Sequence, residues 1–69
     1  MNIQETYEVF ARLRRKEPLH HVGTVVAPNG DLAMAFARTI YNEEAWVEMR
    51  VAARKHMLPA IEVRGEALE

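Results

Sequence analysis

The run HHVGTVVAPNGDLAMAFARTIY, residues 20–41, carries a strand pattern and a helix pattern back to back. Residues 20–27 are rich in β-branched side chains (Val22, Thr24, Val25, Val26), which suit a pleated, half-covered surface. Gly23 interrupts them, and glycine inside a strand marks a bulge or a place where another backbone or a bulky ring comes close. Pro28-Asn29-Gly30-Asp31 is a turn cluster, and its last member, Asp31, can accept a hydrogen bond from the open amides of a following helix. From Leu32 the spacing is helical: Leu32, Phe36 and Ile40 form one stripe, with Ala33, Ala37 and Tyr41 beside it. The larger stripe is expected to be core, and the small alanines to let the helix lie close to a sheet. Asn42-Glu43-Glu44 closes the helix.

Upstream, residues 6–14 alternate, with Tyr7, Val9, Ala11 and Leu13 on one side and Glu8, Phe10, Arg12 and Arg14 on the other. This predicts a strand with one covered face, leaving Phe10 as a large apolar group on the polar face. Arg15-Lys16-Glu17-Pro18 is a connection, because proline cannot donate to a ladder. Downstream, residues 46–52 alternate again, with Val47, Met49 and Val51 opposite Trp46, Glu48, Arg50 and Ala52, predicting a third strand. Residues 53–57 read as a turn or a single helical turn. Residues 58–63 form a weak extended segment, which Pro59 restricts to a short fourth strand at an edge or a crossing tail. Residues 64–69 offer little to bury and are expected to fray or dock on a neighbour.

The expected architecture is an α+β fold of order β-β-α-β, a small, mainly antiparallel sheet with one covering helix. A right-handed crossover that placed the third strand beside the first would make all neighbours antiparallel. The second face of the sheet is then bare, and Phe10 and Trp46 are expected on it. Together with Arg12, His20 and Arg50 they are the candidate partner-interface residues.

Sixty-nine residues, 49% hydrophobic and 28% charged, specify one small folded domain, residues 1–69. A single core of this size rarely supplies more than about 3 to 5 kcal/mol. The chain has no cysteine, so neither disulfides nor thiolate metal sites can reinforce it. Self-association, most simply as a dimer, is the remaining route to stability. The absence of cysteine and of any long apolar run points to a cytoplasmic protein with no membrane partner.

Chemistry-bearing constellations are absent from the sequence. His20 and His21 are adjacent in a strand and point to opposite faces, and His56 stands alone, so no set of three or four ligands converges on a metal. The hydroxyl candidates Thr6, Thr24 and Thr39 lack an activating context, and there is no serine. Gly23 and Gly30 do not form a phosphate loop. No catalytic residue, cofactor or metal is therefore assigned. Two basic clusters, Arg12-Arg14-Arg15-Lys16 and Arg50-Arg54-Lys55, with Tyr7, Phe10 and Trp46 as stacking platforms, leave a single-stranded nucleic-acid-binding module as the alternative. Nine Lys+Arg against ten Asp+Glu give that alternative a weak electrostatic footprint.

Taken together, Tyr7-Glu8-Val9-Phe10, His21-Val22-Gly23-Thr24-Val25, Ala27-Pro28-Asn29, and Ala33, Ala37, Arg38 and Tyr41 of the helix resemble the phenylacetic acid degradation B family. This is the small B subunit of the multicomponent phenylacetyl-CoA oxygenase, or epoxidase. The resemblance implies a non-catalytic accessory subunit that joins oxygenase protomers, with the di-iron centre and acyl-CoA pocket on larger helical subunits. It carries over structural residues: His21, Val22 and Gly23 in the second strand, Pro28 and Asn29 in the turn, and Arg38 and Tyr41 at the helix end. The chain departs from the family at Thr39, where an aspartate is usual, and at Asn42-Glu43-Glu44, where basic residues are usual. It departs again at Met49-Arg50-Val51, where the family's strand typically reads Trp-Val-Val.

Overall fold

The computed structural model describes residues 3–63, and the expected tail at 64–69 lies outside the described residues. Strands β1 (Glu5–Arg12) and β2 (His20–Ala27) precede helix α1 (Gly30–Ile40), and β3 (Glu48–Ala53) runs into one turn of 3-10 helix (Arg54–His56). The sheet order is β2-β1-β3, with β1 antiparallel to both neighbours. The α+β fold, the element order and the third strand beside the first are as the sequence predicts.

Alternation along β1 turns Tyr7, Val9 and Ala11 to the helix side of the sheet, where Tyr7 and Val9 meet Val25 and Ala27 of β2 and Ala33 and Ala37 of the helix, and Ala11 is buried. Met49, Val51 and Ala53 of β3 extend this layer towards its edge, partly buried. The core is thin, for among the described residues Val9 is the only large side chain fully buried.

Several expectations change on this frame. The first strand stops at Arg12, and Leu13 lies beyond it, exposed. The chain turns there because Nη1 of Arg12 donates to the carbonyls of Arg15 (2.6 Å) and Glu17 (3.2 Å), while the amide of Leu13 donates to Oε1 of Glu17 (2.7 Å). The helix starts at Gly30, and its N-cap is Asn29, whose Oδ1 accepts from the amide of Leu32 at 2.9 Å. Asp31 sits in the first turn, where its charge suits the helix dipole. Residues 58–63 form no strand, and Leu58, Ile61 and Val63 are 92%, 93% and 83% exposed.

The largest correction concerns the helix. Ala33 and Ala37 are its buried residues, whereas Leu32, Phe36 and Ile40, expected as core, are 41%, 38% and 54% exposed. Helix and sheet meet through methyl groups, so the axis lies too close to the strands for larger side chains to fit between them. Those side chains are turned to the flank.

Gly23 makes the same close approach possible at the other end of α1. The β1–β2 register passes from Val9↔Gly23 to Phe10↔His21, leaving Val22 as the extra residue of a bulge. The ring of Tyr41, at the helix C-cap, covers Gly23: a Cβ built there would fall 1.9 Å from Oη and 2.6 Å from Cζ. Gly23→Ala must displace that ring. It should destabilise the protein by about 1 to 3 kcal/mol, and the double variant with Tyr41→Ala should cost less than the two single changes added together. Chemical unfolding of the four proteins measures the coupling; strict additivity would show that the ring does not press on Gly23.

Candidate partner interface

The helix-free face of the sheet is a charged lattice around one aromatic ring. Alternation puts Glu8, Phe10 and Arg12 of β1 on this face, with Phe10 opposite His21 on β2 and Arg50 on β3. The Phe10 and His21 rings lie 5.3 Å apart, centre to centre, tilted by 51°. Phe10 is half-buried rather than fully in water.

Glu8, only 8% exposed, holds two partners: Nε2 of His21 donates to Oε1 at 2.7 Å, and Nε of Arg54 donates to Oε2 at 2.6 Å. Arg54 first, and His21 after it, hold the Glu8 carboxyl below the usual carboxylate range. At the far end, Glu48 accepts from both Arg50 and Arg12, the latter at 2.7 Å, and is likewise lowered, chiefly by Arg50. Glu17 is lowered by the amide of Leu13. Lys55 adds a pair with Glu5 at 3.3 Å. Most of the face's cations are therefore matched locally, and Arg12 is committed within the chain by two carbonyls and Glu48.

Trp46 is not on this face. It precedes β3, and its Nε1–H donates to the carbonyl of Tyr41 at 2.7 Å, tying the loop to the end of the helix. The aromatic side chain thus answers an orphan helix carbonyl, and strand-like alternation through residue 46 is broken by that bond. With Met34, Ala37, Tyr41, Met49 and Val51, Trp46 lines a groove of about 640 Å³ between α1 and β3. Polar groups at its margin include Asp31, Arg38, Asn42 and Glu44.

The remaining residues singled out from the sequence lie apart. His20, opposite Ala11, and Pro28 are exposed, as is Arg38 in the last turn of α1, where a cation suits the helix dipole. Val22 packs partly against the core. Glu8 and Glu48, which organise the open face, had no signal in the sequence beyond their place in an alternating run, because their partners emerge only from the register. Among the described residues no group of three or more His, Cys, Asp or Glu is placed to hold a metal. No helix among them is long and apolar enough to cross a membrane.

Residues 4–62 match the family described as phenylacetic acid degradation B. The chain belongs to that family. No curated protein and no solved structure matches it significantly. Membership of the phenylacetic acid degradation B family gives the chain a role in phenylacetic acid degradation, and the match spans every strand and the helix described above.

The open-face carboxylates set a pH dependence for this phenylacetic acid degradation B chain. A carboxyl lowered in the folded state contributes stability that is fully present above the unfolded value, about 4.3, and is lost as pH falls through the lowered folded value. Stability should be flat from neutrality down to about pH 5 and then decline with acid. Glu8→Gln should be less stable at neutral pH and show a shallower decline below about pH 4, measured by urea unfolding at a series of pH values. An acid slope unchanged in Glu8→Gln would show that the Arg54 and His21 contacts do not favour the ionised form.

Proposed function

We propose that the protein is a non-catalytic accessory subunit that bridges or docks the larger di-iron subunits of a multicomponent phenylacetyl-CoA oxygenase in the cytoplasm, and that it self-associates as a dimer. The observation that carries this reading is the exposed stripe of Leu32, Phe36 and Ile40 along α1. A helix that leaves its largest apolar side chains in water is built to be covered by another protein. Helical spacing puts this stripe on one side of the buried Ala33–Ala37 line, and Met34, Arg38 and Tyr41 beside the groove on the other. Two separate apolar surfaces on so small a chain suit a subunit that holds two neighbours at once. Phe10, between His21 and Arg50, gives the open face a third contact point.

The nucleic-acid alternative has less support. Arg12, Arg50, Arg54 and Lys55 meet the three carboxylates of Glu48, Glu8 and Glu5, so most of the charge of one basic cluster and of the start of the other is offset before any phosphate arrives.

Affinity capture after co-expression with the di-iron subunits of the oxygenase tests the proposal. The wild-type chain should recover them in a fixed ratio. Phe36→Asp should lower recovery about tenfold or more while its circular dichroism stays unchanged, and Phe10→Ala should weaken association more than folding. Failure of the wild-type chain to capture any oxygenase subunit would overturn the bridging reading.

A further inference from the structure

The outer edge of β3 is unpaired among the described residues, because the sheet order places β1 on its other side. An open strand edge offers a row of amides and carbonyls to any extended segment. Beside this edge the groove between α1 and β3 presents Met34, Trp46, Met49 and Val51, so an added strand would meet apolar side chains on the helix side. On the opposite side of the same edge stands Arg50, whose side chain is 70% exposed. Arg50 and Arg12 share the single carboxylate of Glu48, which leaves one positive charge in excess there.

The chain carries a segment of complementary pattern. Residues 58–63 hold three apolar side chains almost entirely in water: Leu58, Ile61 and Val63. In an extended conformation Ile61 and Val63 point to one side and Glu62 to the other. Laid along β3 with Ile61 and Val63 in the groove, the segment brings Glu62 to the side of Arg50. Pro59, which lacks an N–H, stands two residues before Ile61 and leaves the amides of residues 60–63 free to pair.

The segment's own groove is not its natural seat. The 3-10 turn that precedes it is held back against β1 by Arg54 to Glu8, on the helix-free face, and by Lys55 to Glu5 at the start of the strand. The segment therefore leaves on the β1 side of β3, away from the outer edge that bounds the groove. A second copy has no such constraint, and because every copy carries both segment and groove, two docking events close a symmetric pair.

We propose that residues 58–63 of one copy add as an edge strand to β3 of a second copy, seating Ile61 and Val63 in the groove between α1 and β3 and Glu62 beside Arg50, with the exchange reciprocal. This rests on the reading of the protein as a self-associating subunit and names the surface that joins the copies.

Sedimentation velocity on the full chain tests it. The wild-type protein should sediment as a dimer, and Ile61→Asp should weaken self-association about tenfold or more with unchanged circular dichroism, since Ile61 is exposed in the single copy. Val63→Asp, at the neighbouring seat, should do the same. Arg50→Glu and Glu62→Arg should each weaken the dimer by placing like charges together, and mixing the two variants should restore it, because each charge then faces its opposite on the other chain. A wild-type monomer, a dimer indifferent to both Ile61→Asp and Val63→Asp, or a mixture that stays monomeric would each overturn the proposal. The capture experiment is read separately: a chain that exchanges its segments yet recovers no oxygenase subunit refutes the bridging reading alone, and a chain that recovers them while its dimer is indifferent to Ile61→Asp and Val63→Asp refutes the exchange alone.

Discussion

The methyl groups of Ala33 and Ala37, set against Val9 and Val25, determine how near α1 lies to the sheet. Gly23 extends the same close approach to the helix end, where the Tyr41 ring takes the space a side chain would fill. Close packing gives good dispersion contact, but it encloses little area. The large apolar side chains of the helix cannot enter so narrow a gap and are displaced to its sides. A thin interior and apolar flanks are thus two results of one packing choice.

The open face of the sheet follows different physics. Glu8 and Glu48 sit where register brings donors from all three strands and the turn after β3, and each carboxylate serves two partners. Such pairs satisfy charge in place and contribute little net stability where they are exposed. Their larger effect is on geometry: Arg12 shapes the connection between β1 and β2, and Arg54 fixes where the chain leaves β3. With most of its charges matched, this surface presents Phe10 within a polar rim, an arrangement found in protein interfaces. Membership of the phenylacetic acid degradation B family sets that arrangement in phenylacetic acid degradation.

Much of this was legible from residues alone. The β-branched run with its glycine marked β2 at its true limits, and the turn before Leu32 announced the helix, although Asn29 caps it in place of Asp31. The antiparallel requirement placed β3 beside β1. The stripe of the helix was misread because hydrophobicity alone ranks Leu, Phe and Ile above Ala, whereas depth in a helix–sheet contact is decided by how near the axis can come. The alanines beside the stripe were the signal. Trp46 was misplaced because alternation does not reveal that an indole N–H will seek a helix-end carbonyl five residues back. The partnerships of Glu8 were beyond reach, since they depend on a bulge at Val22 and on a turn that returns from the far side of β3.

The central claim, that a single copy is incompletely stabilised by its own interior, is tested most directly by the thermal midpoint as a function of protein concentration. Association of folded chains raises the midpoint by mass action, so a hundredfold increase in concentration should move it upward by several degrees or so, and added oxygenase subunits should move it further. A midpoint that stays constant across that range, with and without those subunits, would contradict the account.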